Sequence, residues 1–366
     1  MKKKKENPQN TPTATSMAES DWSSLPKELL HLISQRLDVE LDLIRFRSTC
    51  STWRSSSLPI PNLTLKFPHP YQSSINNTTQ FHSLSKRSFF LIKPPLQRPW
   101  LIKITQNPNG KTKLLHPLLS YQSSHPLHFP HALDFSELYV LELGNDYIID
   151  SEQILPCDYV YPEKIVAVTC KEKGPLVIGT FISTKKSVSL KTNGDEIWCV
   201  ITDMSINLVD ICVFKGRPYM IDGIGRTIIV GLGLHNFNSE GALLRVDIYE
   251  CLGFDYSGKD VLRINVFRFD EKECKWADLM SLGDRVLFLG NGCSFSASAS
   301  DLCVSKGNCV IFIDDAFLNF NGKNMQYGNC VFDLDQGKLS PLSDCPDYFN
   351  LFWPPAEWIG ECCVPK

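Results

Sequence analysis

The chain has no Cys-x-x-Cys pair, no run of 18 apolar residues and no apolar stretch behind its first lysines. Each absence removes a class. Fourteen cysteines are scattered singly apart from Cys362-Cys363, which fits neither a disulfide scaffold nor a zinc ribbon, so they are expected to be reduced thiols. Without a long apolar run or a leader-like h-region, neither a membrane span nor a secretory signal is expected, and the protein is expected to be intracellular, in the nucleus, the cytoplasm or both. The Asn-x-Thr sequons at Asn62, Asn76 and Asn77 are then expected to stay unglycosylated. Charge of one sign is also lacking. With 37 basic and 40 acidic residues, a net charge of −3 gives no global field for nucleic acid. Lys2–Lys5 are the exception, and with the polar run that follows they make residues 1–20 a disordered basic and polar tail.

Chemical motifs are equally scarce. Gly253-Phe-Asp-Tyr-Ser-Gly258-Lys259 approaches a phosphate-binding loop, but Asp260 stands where a magnesium-ligating Ser or Thr belongs, so a hairpin turn is expected. Gly223-Ile-Gly225 lacks the third glycine of a dinucleotide fingerprint. His125, His128 and His131 are interleaved with prolines and have no fourth ligand nearby, so they read as loop histidines rather than a zinc site. Asp314-Asp315 and Asp333/Asp335 sit at strand ends, where aspartate ordinarily accepts turn hydrogen bonds. Tryptophans 198, 276, 353 and 358 read more simply as packing residues than as a stacking site. No catalytic residue, cofactor or metal is expected.

What is present begins at Ser23–Ser57. Pro26 marks a helix start, where its missing N–H costs nothing. Leu25, Leu29, Ile33 and Leu37 then recur every four residues, one apolar stripe along a helix. A polar break at Asp38–Glu40 separates this from Leu41, Leu43, Ile44 and Phe46, and a third short helix is expected to carry Cys50 and Trp53. Helices this short and few do not bury a sufficient core alone, so an apolar face is left to cover something else.

Leu25-Pro-Lys-Glu-Leu-Leu30, Ile33, Leu37, Leu43-Ile-Arg-Phe46 through Cys50 and Trp53-Arg54 resemble the F-box. That resemblance implies a three-helix module over residues 21–58 that packs against the Skp-type adaptor of a cullin–RING ubiquitin ligase. It implies an adaptor-facing set of Leu25, Pro26, Leu29, Leu30, Ile33, Leu41 and Leu43, with Phe46, Cys50 and Trp53 packing internally. Burying a helical face in a groove needs no catalytic group.

Beyond Pro59 helical spacing gives way to short alternating segments broken by Gly, Asn, Asp and Pro. Four hairpins share one layout: Ile102–Leu118, Val188–Ile201, Phe267–Leu279 and Phe332–Leu342. Between them recur apolar strands introduced by glycine, at Lys173-Gly, Lys215-Gly, Gly283-Asp and Lys306-Gly. Repetition of this kind without helical interludes favours four-stranded blades around an axis over stacked sandwiches. The fold class expected is α+β multidomain, three helices followed by an all-β domain over residues 59–366, a β-propeller of roughly six or seven blades at 40–50 residues each. Leu63–Phe67 is expected to close the ring by pairing with strands near the C-terminus. Val266-Phe-Arg-Phe269, Lys275-Trp276, Leu287-Phe-Leu-Gly290, Lys306-Gly-Asn308, Val331-Phe-Asp-Leu334 and Trp353-Pro-Pro resemble the kelch-like propeller domain found behind F-boxes in a plant family.

The function these readings imply is a non-catalytic substrate receptor. The F-box would hold the adaptor, and through it the cullin and RING subunits, while the propeller holds a protein to be ubiquitinated. The alternatives are a kelch-type propeller enzyme with a helical docking module, and an F-box scaffold acting without ubiquitin transfer.

Overall fold

The computed structural model describes residues 22, 25–37, 40–57, 65–68, 81–94, 98–106, 112–118, 138–150, 162–170, 174–181, 187–192, 199–200, 208–215, 217–222, 227–229, 242–251, 261–290, 293–312 and 330–352. They fall in two compact units, Met1–Asn62 and Leu63–Lys366.

The first unit holds helices α1 (Lys27–Ser34), α2 (Glu40–Ser48) and α3 (Ser51–Ser56). Pro26 precedes α1 at φ −55°, and its carbonyl accepts the first intrahelical N–H groups, from Leu29 and Leu30, both at 3.1 Å. Proline thus starts the helix where it has no N–H to lose. Helices α2 and α3 are laced by two arginines. The Arg54 guanidinium donates to the Arg47 carbonyl at 3.2 Å, and Arg47 donates to the Arg54 carbonyl at 3.2 Å and to Ser57 Oγ at 2.8 Å.

The second unit is built of strands. The first group is β1 (Leu65–Pro68), β2 (Phe81–Lys93), β3 (Trp100–Gln106), β4 (Thr112–Leu115) and β5 (Tyr139–Asp150), in the order β4-β3-β2-β5 with β1 paired to β2. The second is β6 (Pro162–Cys170), β7 (Gly174–Phe181), β8 (Ser187–Thr192) and β9 (Cys199–Val200) in sequence order, joined to the first by the single pair Tyr147↔Ile165. Two groups of three follow: β10 (Leu208–Phe214), β11 (Arg217–Asp222) and β12 (Thr227–Ile229), then β13 (Leu244–Cys251), β14 (Val261–Asp270) and β15 (Lys275–Asp278). The last is β16 (Arg285–Gly290), β17 (Cys293–Ser298), β18 (Cys309–Phe312), β19 (Cys330–Asp333) and β20 (Lys338–Pro341) in the order β17-β16-β18-β19-β20. A short helix, α4 (Ala299–Leu302), follows β17.

All four expected hairpins are present, as β3–β4, β8–β9, β14–β15 and β19–β20. All four glycine-introduced strands are present as β7, β11, β16 and β18. One pairing departs from the hairpin pattern, since β16 and β18 run parallel. The expected closing strand is corrected among the described residues: Leu65–Pro68 pairs with its near neighbour β2, Leu65 opposite Leu84, and with no described C-terminal strand. A partner close in the chain costs less loop-closure entropy than one almost 300 residues away.

The groups stack in succession. Lys164 of β6 pairs with Asp210 of β10 at 2.6 Å, and Trp276 Nε1 of β15 donates to Thr227 Oγ1 of β12 at 2.8 Å. Val310 and Phe312 of β18 share a core with Ile264 and Val266 of β14. The other face of β18, Cys309 and Ile311, shares a core with Phe89, Leu91 and Leu101 of the first group. The last sheet is therefore buried on both faces, and the succession returns to its start. The described strands form five such groups, against six or seven expected from length over the whole chain. Cys309 and Cys330 lie in these cores at 2 % and 1 % exposure, acting as small hydrophobes.

Candidate partner-binding surface

On α1 the side chains divide by helical angle. Leu30 and Ser34, one turn apart, are buried, while Leu29, Leu32 and Ile33 are 47 %, 52 % and 40 % exposed. On α2 Leu43 and Phe46, three apart, are buried and Ile44 on the opposite side is 40 % exposed. Phe46 meets Trp53 of α3 with ring centroids 4.5 Å apart, and Trp53 Nε1 donates to the Trp22 carbonyl at 3.3 Å. The module therefore has its own small core, with Leu29, Leu32, Ile33 and Ile44 left outside it.

Of the expected adaptor-facing set, Pro26, Leu29 and Ile33 are exposed, and Leu25 and Leu41 are half-buried. Leu30 and Leu43 are buried, at 0 % and 6 % exposure, turned into the module's own core. Phe46 packs internally as expected, and Cys50 and Trp53 are half-buried. Sequence reasoning did not single out Leu32 and Ile44 as exposed aliphatics. Counting strictly by four from Leu25 passes over Leu32, although position i+3 from Leu29 lies on the same side of a helix.

The β unit contains a buried polar patch that no motif announced. Arg87 of β2 forms a two-pronged pair with Asp146 of β5, both bonds 2.6 Å, with both side chains under a tenth exposed. Lys103 of β3, wholly buried, lies opposite Phe89 with Nζ 5.7 Å from the ring centroid. Burial, then the neighbouring Arg87 charge, lowers Lys103 to about 8. Burial followed by Lys103 lowers His116 to about 4. Burial pushes the thiols of Cys212 and Cys309 up to about 11, which keeps them protonated and poor nucleophiles.

Asp333 accepts the N–H groups of Asp335 and Gln336 at 2.9 and 3.0 Å, the turn role expected of it, and Lys306 bridges Asp333 and Asp335 at 2.8 and 3.0 Å. Trp276 packs on Phe269 at 5.1 Å, a packing residue. The glycine loops at 223–225 and 253–258, the histidines at 125, 128 and 131, Asp314-Asp315 and Trp198, Trp353 and Trp358 lie outside the described residues. Among the described residues no helix is long and apolar enough to cross a membrane.

Comparison with known families gives two matches that divide the chain where the two units divide. Residues 22–60 match the F-box domain and residues 72–333 match the KIB1-4 β-propeller. The chain belongs to the plant F-box proteins that carry a KIB1-4 β-propeller. It is similar to the F-box protein SKIP23 of Arabidopsis thaliana, 34 % identical over 93 % of this chain and 95 % of that protein. It is also similar to the A. thaliana F-box protein At2g17036, 30 % identical over 93 % of this chain and 95 % of the relative. A third A. thaliana relative is named a putative F-box/kelch-repeat protein, At5g24040, 26 % identical over 92 % of this chain and 98 % of its own length. No solved structure matches the chain. The three-helix unit is thus the F-box and the stacked sheets are the propeller.

Proposed function

We propose that this F-box protein is the substrate-recognition subunit of a Skp–cullin–F-box ubiquitin ligase. Its F-box holds the Skp-type adaptor, which links it to the cullin and RING subunits, and its propeller holds the protein to be ubiquitinated, in the nucleus or cytoplasm. One observation carries this reading: the F-box satisfies its own core with Leu30, Leu43 and Phe46 and still presents Leu29, Leu32, Ile33 and Ile44 to solvent. Large aliphatic side chains left exposed outside a small helical module's own core mark a docking face. Leu25, Pro26, Leu29, Ile33 and Leu41 form the adaptor-facing set, joined by Leu32 and Ile44, with Leu30 and Leu43 supporting them from within.

The chain then needs no catalytic group of its own. Holding a target beside a ubiquitin-charged enzyme raises the effective concentration of the target's lysines there, which is catalysis by proximity.

The test is capture of a purified Skp-type adaptor by the full chain and by the double variant Leu29→Asp/Ile33→Asp. Both residues are exposed, so the variant keeps its helical circular dichroism and melting midpoint, while two charges set into an apolar contact remove on the order of 2 kcal/mol or more of binding. A wild-type chain that captures no adaptor, or a folded variant that binds as well as wild type, overturns the proposal.

A further inference from the structure

Consecutive groups of the propeller are tied by the chain itself, whereas the seam between the first and last groups joins residues far apart in sequence. Lys93 Nζ meets Asp301 Oδ1 at 2.9 Å, and Cys293 Sγ donates to the Pro117 carbonyl at 3.6 Å. The approach is close: a Cβ at Gly290 would stand 2.8 Å from the Leu118 carbonyl oxygen. A seam closed only by non-covalent contacts between distant segments is where a ring releases most chain entropy by opening.

The run 342–352, helical at Leu342–Asp344, Pro346–Phe349 and Asn350–Phe352, lies across this seam. It grips the last group through Tyr348, whose hydroxyl donates to the Lys306 carbonyl at 2.5 Å, and through Asp347, which accepts from Ser305 Oγ at 3.1 Å. It grips the first group through Asn350, whose carbonyl accepts from Arg98 Nη1 at 2.9 Å, and through Phe352, whose ring stacks on His116 at 5.1 Å. Phe352 also meets Phe288 of β16 edge-on at 6.2 Å. Leu351 and Phe352 are 2 % and 3 % exposed. Eleven residues that form no strand therefore fasten both sides of the closure.

We propose that residues 342–352 are a clasp that holds the propeller ring shut, and that releasing it opens the seam between β3 and β16 while the opposite side of the ring stays folded.

Hydrogen exchange read by mass spectrometry on the full chain tests this, with Phe352→Ala as the strong variant and Arg98→Met, which removes the guanidinium that donates to the Asn350 carbonyl, as the mild one. The expected result is exchange several-fold faster in 342–352, in β3 and in β16 together, with β10 and β11 unchanged. Faster exchange confined to 342–352 shows a passive cover and overturns the clasp. Equal loss of protection in β10 and β11 shows general unfolding and overturns it too. Should Phe352→Ala fail to fold, Arg98→Met decides by the same pattern.

Discussion

Cys274 and Gly337 hold the same place in two hairpins of different sheets, both left-handed, with φ of 51° and 59°. Each is the last loop residue before a lysine that pairs back across the ladder, Lys275 with Asp270 and Lys338 with Asp333. Each loop is opened by that aspartate accepting two following N–H groups, at 2.9 and 3.2 Å for Asp270 and 2.9 and 3.0 Å for Asp333. The hydrogen-bonded loop repeats although little of the sequence in it does. The two aspartates are held below the usual carboxylate range, Asp270 by the backbone N–H groups of Glu273 and Lys272. For Asp333, burial opposes ionisation, and the Lys306 ammonium with the turn N–H groups outweighs it.

A left-handed backbone costs an L-residue about 1–2 kcal/mol and glycine almost nothing. A Cβ at Gly337 meets nothing within 4 Å, so Gly337→Ala isolates the backbone cost and is expected to destabilise by about 1 kcal/mol. Cys274→Gly runs the other way and is expected to stabilise by a smaller amount, because glycine's extra freedom in the unfolded chain offsets about half the gain. Shifts of opposite sign in the denaturant midpoint check the pair.

Turns of this kind are why the hairpins were legible in sequence: Asp at the strand end, and in one of the two a Gly before the return strand, are local signals. What joins sheet to sheet is not local. The parallel pairing of β16 with β18 spans the intervening β17 and α4, and no residue in either strand announces it. The buried Arg87, Lys103 and Thr105 were invisible for a different reason. They occupy the alternating polar positions of β2 and β3 that ordinarily face water, and only because a second sheet covers that face do they become interior. In the F-box, period alone found the apolar stripe but could not say which leucines turn inward; that depends on where the third helix lies.

Lys103 sets a signature on the alkaline side. Its folded value of about 8 lies below the ordinary 10.5, so between these pH values the unfolded chain binds a proton that the folded one does not, and stability rises with pH through that window. Below about 8 both states are protonated and the cost of the buried charge is constant, on the order of 3 kcal/mol. Lys103→Met is expected to lose this slope and to be at least as stable as wild type at pH 7. The difference between the two melting midpoints, followed from pH 7 to 10.5, isolates Lys103 from the tyrosines and thiols that titrate nearby.

His116 acts on the acid side. Its Nδ1 accepts the Leu118 N–H at 3.2 Å, a bond that only the neutral ring can make. With the folded value lowered to about 4 against an ordinary 6.5, the unfolded chain takes up the extra proton, and stability is lost as pH falls from 6.5 to 4. His116→Asn supplies an acceptor without a titrating ring. It is expected to cost about 1 kcal/mol at pH 7 through the lost stacking on Phe352, yet to melt at a midpoint that is flatter than wild type between pH 6.5 and 4.

The final prediction concerns the carboxylate that two buried cations share. Removing one member of a buried ion pair ordinarily costs about 3–5 kcal/mol, since the other charge is left in a medium that solvates it poorly. The two sides of the Arg87–Asp146 pair are not equivalent here, because the Asp146 charge also favours the charged form of Lys103, while Arg87 opposes it. Arg87→Met leaves Asp146 facing Lys103, still a pair of opposite sign. Asp146→Asn leaves Arg87 and Lys103 repelling one another without that carboxylate. Asp146→Asn is therefore expected to destabilise more than Arg87→Met, and adding Lys103→Met to Asp146→Asn to recover part of the loss. Denaturant midpoints of the three variants and the double check this, and equal losses for the two single changes, or no recovery in the double, would show that Lys103 stands outside the network.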